Sequence, residues 1–460
     1  MDYIKARTYI DESHRFGGEM GLEAITCLLE KLGNPQETLQ FIHIAGTNGK
    51  GSVGAYLAAV LQEAGYRIGR FISPTLYEYR ERIQINGEEA FGRLMDPVVK
   101  AIGELEEEHK PLPSPFEIET AISFLYYKEK NCDFVLLECG MGGKTDATNV
   151  IRNTKLAVIT SISMDHMEYL GNTLGEIAGQ KAGIIKPGSR VVTCRQEKEA
   201  MDVIERESKK LGCPLYVGDK TEAELVTADL DHMVFRYQKE TYTIHLAGSH
   251  QLENAVLALA GIRALQDTGY QISGEQIRSG MEKARWNGRF TILKKDPYLV
   301  VDGAHNPDAA RKLQESLRMY FPNREFVFLM GVFRDKQYET IAERMAPMAR
   351  EIIAMETPDN PRALPAKELG EVLCRYKTPK QVYVADSLEE ADHVDLSMSR
   401  LDIVNNYHAR MLSSAVLAAE NDHLEYVQMV SFGCGHDAYL SDEIIRLMKE
   451  ISGKTPLVLK

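Results

Sequence analysis

Apolar residues along the chain follow two spacings. Phe41, Ile42 and Ile44 form the short run that a buried parallel strand needs. The run breaks at Gly46 and resumes as a helical stripe of Val53, Leu57, Val60, Leu61 and Ala64. Further strand-like runs fall at 67–72, 134–138, 156–162, 190–194 and 214–217, with helix-like stretches between them. Strands alternating with helices predict an α/β fold on a parallel sheet. Ahead of the first strand, Tyr9, Ile10, Ile25, Leu28, Leu29 and Leu32 predict helices around a glycine-bearing connector, 16–23. Residues 79–87 read as a strand and turn. The alternating stretch 233–246 predicts a hairpin turning at Lys239-Glu240. A second series starts near Thr291, with strand-like runs at 298–302, 326–331, 352–356 and 381–385, and predicts a smaller α/β unit. His408 to Glu420 reads as helical.

Between the first strand and its helix lies Gly46-Thr47-Asn48-Gly49-Lys50-Gly51-Ser52. Strand, glycine-rich loop and helix form the geometry that cradles phosphates. Glycines let backbone N–H groups turn toward the anion, the helix start adds its positive dipole end, and a lysine reaches the terminal phosphates. Gly51 separates Lys50 from Ser52, which the usual spacing of such loops does not do. Taken alone, a tight connector is the plainer alternative. The apolar run 134–138 ends in Glu138, where this kind of fold places a metal-binding acid because strand C-termini face the nucleotide. A solvated strand end is the competing reading.

Charge and composition narrow the field. A net charge of −13 over 460 residues argues against a nucleic-acid or anionic-membrane surface. No apolar run approaches the ~20 residues that span a bilayer, and the charged start MDYIKARTYIDESHRF is no signal peptide. The seven cysteines are scattered without CxxC or metal spacing, as in a reducing cytoplasm.

Further motifs follow in order. They are Ser73-Pro74-Thr75, then Ser114-Pro115-Phe116-Glu117, then Glu138 with Gly140 to Asn149, and Asp165-His166 with Ile177 to Gly188 around Lys181. Beyond them come Gly248 to Asn254, Trp286 to Phe290, and Asp302-Gly303-Ala304-His305-Asn306-Pro307. Together with GTNGKGS, this series resembles the folylpolyglutamate synthase/dihydrofolate synthase branch of the Mur ligase superfamily over residues 1–391. The chain departs from the family pattern at Thr75, Pro115, Lys144, Thr145, Asn287 and Thr291. Lys144 for arginine keeps the charge but loses the planar fork.

The resemblance implies a P-loop, Mur ligase-like ATPase domain over 1–292, with a parallel sheet. A smaller Rossmann-like glutamate-ligase domain over 293–394 and an atypical tail, 395–460, follow. The short tail motif SFGCG resembles the end of 2-hydroxyacyl-CoA dehydratase activators instead. The implied activity is ATP-dependent addition of L-glutamate to a folate, to dihydropteroate, or to both, through an acyl phosphate. Lys50, His166, Lys181 and His305 are the implied catalytic residues. Asn48, Gly49, Lys50, Gly51, Ser52, Asn254, Arg289 and Asp302 would hold ATP. One Mg²⁺ would take Ser73 and Glu138, and a second would take His166 and Lys181 as N6-carboxylysine; K⁺ is a further implied cation. Glu19, Met20, Gly21 and Leu22, with Ser114 to Glu117 and Thr145, Asp146 and Ala147, would line the folate pocket. A cytoplasmic monomer is expected. Two alternatives stay open. A peptidoglycan Mur ligase is disfavoured because no UDP-binding domain precedes Gly46; a non-catalytic nucleotide-binding module disabled by its tail is the other.

Overall fold

The structure is a computed structural model that describes residues 1–13, 21–75, 79–85, 90–295, 298–357, 360, 362–378, 381–385 and 426–429. Its larger sheet contains β1 (Phe41–Ala45), β2 (Ile68–Phe71), β3 (Ile83–Gln84), β4 (Phe134–Glu138), β5 (Thr154–Ile159), β6 (Arg190–Cys194) and β7 (Leu215–Gly218). Their order is β3-β2-β4-β1-β5-β6-β7. All neighbours run parallel except β3, which pairs antiparallel with β2. β1 and β4 are buried at every position, which is why they read as unbroken apolar runs. Helices cover both faces. Lys50–Glu63 and Gln251–Gln266 pack on one, and Pro115–Glu129 belongs to the core on the other.

A small antiparallel sheet of β8 (Glu224–Ala228), β9 (Met233–Tyr237) and β10 (Glu240–Ile244) follows. The hairpin turns at Gln238-Lys239, one residue before the predicted Lys239-Glu240. Both residues have positive φ, +49° and +70°, as a tight two-residue hairpin turn requires. Residues 79–85 also differ from the reading. Tyr79–Arg82 is a single 3₁₀ turn, and only Ile83 and Gln84 join the sheet.

The second large sheet holds β11 (Thr291–Lys295), β12 (Tyr298–Asp302), β13 (Phe326–Met330), β14 (Ala349–Met355), β15 (Val382–Ala385) and β16 (Tyr426–Met429), in the order β11-β12-β16-β13-β14-β15. Only β11 is antiparallel. β16 comes from the segment set apart as a tail. It lies inside the sheet, pairing with β12 on one side and β13 on the other, and Met429 stands opposite Asp302. The 408–420 helix expectation and the SFGCG motif lie outside the described residues. No helix among the described residues is long and apolar enough to cross a membrane.

Candidate active site between the two large sheets

Strand C-termini of a parallel sheet share one edge, and the crevice beside them is where such folds bind ligands. Here β1 delivers Gly46 to Ser52, β2 leads to Ser73, β4 ends at Glu138, and the loop after β5 carries Asp165 and His166. From the second sheet, β12 delivers Asp302 to His305. These residues line one cleft with Lys181, His250, Arg289 and Lys312.

The glycine loop is shaped by its neighbours. Gly49 has φ +92°, and a Cβ there would lie 2.5 Å from Asn254 Oδ1, so only glycine fits. Asn254 donates to Gln251 Oε1 (3.1 Å), and Gln251 Nε2 donates to Ser52 Oγ (3.3 Å). The start of helix Gln251–Gln266 thereby braces the loop. Lys50 Nζ curls back onto the carbonyls of Gly46 (3.2 Å) and Thr47 (3.4 Å), 4.0 Å from Glu138 Oε1. Burial raises the Glu138 carboxyl, with Lys50 and Arg289 pulling the other way.

Lys181 is 4% exposed and donates to Gly46 O at 3.0 Å. Among the described residues no carboxylate comes within ion-pair distance of it. Burial first, then Lys50, pull its ammonium down to about 7. His166 is held down to about 4, chiefly by burial. Ser73 and Glu138 are oxygen donors, a set suited to Mg²⁺ completed by phosphate and water. Lys181 as an ammonium does not suit a cation; as a carbamate it does. No group of three or more His, Cys, Asp or Glu converges as a metal site among the described residues.

From the second sheet, Asp302 is buried and its oxygens accept from the N–H groups of Phe290 (2.8 Å) and Ala304 (2.9 Å). His305 Nδ1 pairs with Gly303 O at 2.8 Å, and its Nε2 stands 3.6 Å from Asp165 Oδ2. Arg289 lines the same cleft, with Nη1 on Gly288 O at 3.0 Å.

Four residues with no role assigned from sequence hold the two halves together. Asn48 Nδ2 donates to Asn306 Oδ1 (3.2 Å) and Asp308 Oδ2 (3.0 Å), while Asn306 Nδ2 donates back to Asn48 Oδ1 (3.1 Å) and to Asp165 Oδ2 (3.1 Å). Lys336 Nζ meets Asp165 Oδ1 at 2.6 Å, with both side chains 6% exposed. Burial alone would raise the Asp165 carboxyl, but His305 and Lys336 hold it far below the usual carboxylate range. Asp165 and Asn306 sit inside recognised motifs and were open to inference. Lys336 and Asp308 carry no such signal.

Of the residues implied for folate, Phe116 and Asp146 touch Gly140 and Met141 of the cleft wall, and none of the described ones lines the cleft itself. Ser114 caps helix Pro115–Glu129 in a reciprocal box with Glu117, whose Oε2 accepts from Ser114 N and Oγ at 2.8 and 2.7 Å. Glu117 Oε1 accepts from Ile25 N at 3.1 Å. Both oxygens of Glu117 are therefore engaged in holding two helices. Phe116 packs on Phe71 (5.6 Å between centroids) and against Gly140, next to Glu138. Asp146 accepts from Met141 N (2.8 Å) and from Thr148 N and Oγ1 (3.0 and 2.5 Å), which fixes the loop that carries Thr145 and Ala147. Leu22, preceded by Gly21, is partly buried against the same core as Phe116. Glu19 and Met20 lie outside the described residues.

Comparison with known proteins agrees with this geometry. Residues 44–262 match the Mur ligase middle domain, and residues 288–404 match the Mur ligase glutamate ligase domain. The dihydrofolate synthase/folylpolyglutamate synthase of Bacillus subtilis is 37% identical over 379 residues, covering 80% of this chain and 88% of that protein. The folylpolyglutamate synthase of Lacticaseibacillus casei is 30% identical over 85% of this chain and 92% of its own. Among solved structures, the Mycobacterium tuberculosis folylpolyglutamate synthase with ADP and AMPPCP superposes with a TM-score of 0.79 at 28% identity. It covers 99% of this chain and 100% of its own. The chain belongs to the folylpolyglutamate synthase/dihydrofolate synthase family of Mur ligases.

Proposed function

We propose that this protein is an ATP-dependent ligase that joins L-glutamate to the carboxylate of a folate, a dihydropteroate, or both. The observation that carries the reading is the convergence of the Gly46–Ser52 loop, Glu138, Lys181, Arg289 and Asp302 on one cleft between the two large sheets. In the first step an oxygen of the acceptor carboxylate attacks the γ-phosphorus of ATP, and ADP leaves. In the second the glutamate amine attacks the acyl carbon, and phosphate departs with that oxygen. Splitting the condensation in this way is the logic of covalent activation.

Lys50, released from its backbone carbonyls, and Arg289 neutralise phosphate oxygens, and the N–H groups of Asn48 to Gly51 orient them. Asn254 and Asp302 hold the nucleotide, and His305 stands close to the γ-phosphate. Ser73 and Glu138 would hold one Mg²⁺, and His166 with modified Lys181 a second; bound there, the metal disperses charge on the transferring phosphoryl group. Lys181 is suited to modification because it is buried without a carboxylate partner among the described residues and its amine is neutral for part of the time near pH 7. The neutral nitrogen adds to CO₂ and loses a proton, giving an anionic carbamate. The Gly21–Leu22 segment, Ser114 to Glu117 and Thr145 to Ala147 form the wall for the folate. Support for the acceptor class comes from the relatives' names and from a folylpolyglutamate synthase complex with AMPPCP and folate, superposed at a TM-score of 0.71 and 27% identity. We infer a monomeric enzyme. Its scattered thiols suit the cytoplasm.

ADP release measured with a panel of pteroate and folate acceptors tests the proposal. The expected result is turnover that requires both an acceptor and L-glutamate; replacing K⁺ by Na⁺ in the same assay tests the additional cation. ADP release that is indifferent to glutamate with every acceptor would leave only a nucleotide-binding module.

A further inference from the structure

Gly51, the residue that breaks the usual lysine-serine spacing of the phosphate loop, has a structural cause. A Cβ at this position would lie 2.5 Å from Trp286 Cζ2, 2.6 Å from Cε2 and 2.7 Å from Nε1. The indole occupies the space a side chain at 51 would take. Trp286 is the only tryptophan of the chain. It is partly buried against the core that contains helix Lys50–Glu63, and the guanidinium of Arg70 lies 4.9 Å from its ring centroid. Arg70 Nη2 is buried with no hydrogen-bond partner among the described residues, so its ring contact is what it has there in place of a hydrogen bond.

Trp286 also begins the connector between the two large sheets. The preceding helix, Gly274–Lys283, packs against the loop's own helix so closely that a Cβ at Gly280 would lie 2.4 Å from Val60 Cα. After Trp286, the chain turns at Gly288 (φ +73°), places Arg289 in the cleft, and passes Phe290 into the second core. Phe290 has φ +46°, a conformation that costs a bulky residue about 1–3 kcal/mol. Its N–H is bound to Asp302 Oδ2 at 2.8 Å, which fixes the far end. Five residues thus run from the underside of the phosphate loop to the first acidic residue of the second sheet.

We propose that Trp286 is a positioning residue for the nucleotide. It sets the height of the Gly49–Gly51 turn by contact and registers that turn with Arg289, so that the loop and the connector move as one unit. This rests on the reading of the cleft as an ATP site. It requires that the loop cannot take its phosphate-bound shape without shifting the indole, and that removing the indole loosens ATP more than the acceptor.

The single tryptophan makes the test direct. Its emission is recorded during titration with Mg-ADP, alongside calorimetric ADP binding, and steady-state constants are measured for ATP and for a folate acceptor. The wild type is expected to change emission in step with calorimetric binding. Trp286→Leu is expected to raise KM for ATP about tenfold, in keeping with the cost of small misplacements in a catalytic site, with KM for the acceptor within about twofold. Trp286→Phe keeps a flat ring against Gly51 and is expected to recover most of the ATP affinity. Arg70→Met, which keeps the indole but strips its cationic partner, is expected to shift the resting emission. Calorimetric ADP binding with unchanged emission would overturn the inference while leaving the ATP site standing. So would a Trp286→Leu enzyme whose two KM values rise together, or a Trp286→Phe enzyme no better than Trp286→Leu. A wild type that binds no ADP would overturn both readings.

Discussion

Lys181 is the residue on which the most chemistry hangs. A buried ammonium 3.0 Å from a carbonyl and close to Lys50 is poorly placed as a cation. In the proposed mechanism, converting it to a carbamate reverses its charge at the place where an anion would hold metal. Lys181→Ala is therefore expected to lower turnover by at least a hundredfold, roughly the loss seen when one electrostatic group is removed from a catalytic site, while the protein still folds. Lys181→Arg is expected to fail equally, because guanidinium cannot form the carbamate. Turnover of both variants, with intact-mass measurement of the wild type for an added carboxyl group, checks this; a fully active arginine enzyme would sink it.

A second buried base makes a separate prediction. His43 is fully buried in β1, with Nε2 2.9 Å from Thr148 Oγ1 and Nδ1 without a hydrogen-bond partner among the described residues. Burial, then Lys186, hold its imidazole down to about 3, against 6.5 when unfolded. The folded pKa is depressed, so between those values the unfolded chain binds the extra proton. The stability it contributes is full above about pH 6.5 and is lost as pH falls toward 3. From pH 7 to pH 5 this one group costs about 2 kcal/mol. Denaturant unfolding should show that loss shrinking by about that amount in His43→Asn; an equal loss in both proteins would refute the assignment. His43 was illegible in the sequence because the apolar run around it defines the strand whether or not its third residue is polar. Lys50, Glu138 and Lys181 were legible because each sits in a motif of the resembled family, and all three line one cleft. Lys336 was not, since a lysine in a loop is ordinarily solvated and only the fold brings it to Asp165.

Among the elements, β16 changes the account most. Residues 395–460 read as an appendage because nothing in them matched the expected closing pattern, and four of them form an interior strand. Sheet order is a long-range property, and four residues carry no periodicity that reveals it. The neighbouring strands β12 and β13 would be left with unpaired N–H and C=O groups on facing edges if β16 were removed. Deleting 395–460 is therefore expected to lower the melting midpoint by roughly 10 °C or more and to abolish turnover, because Asp302 sits opposite Met429 at the cleft end of β12. Calorimetry and ADP release on the truncated chain test it; a fully active truncated enzyme with an unchanged midpoint would count against it. β1 and β4 of the first sheet were easier to read, because burial at every position leaves apolar runs that break at Gly46 and Gly140. The short β3 was not, since two residues on an edge are set by their neighbour.

At the scale of the molecule, two mostly parallel sheets turn their strand ends toward each other, and each supplies half of one site. The first brings the phosphate loop and the acidic and basic groups around Lys181. The second brings Asp302 and His305, held close by Asn48, Asn306 and the Lys336–Asp165 pair. The fold class and the order of motifs could be read from the chain, but this mutual grip depends on side chains far apart in sequence. If both halves act on one reaction, the acceptor carboxylate itself must be phosphorylated by ATP in the cleft. The most direct measurement is oxygen transfer: an acceptor whose terminal carboxylate carries ¹⁸O is ligated to L-glutamate, and the phosphate released is analysed by mass spectrometry. One labelled oxygen in phosphate is expected for each amide bond formed. Unlabelled phosphate released alongside ligated product would contradict it.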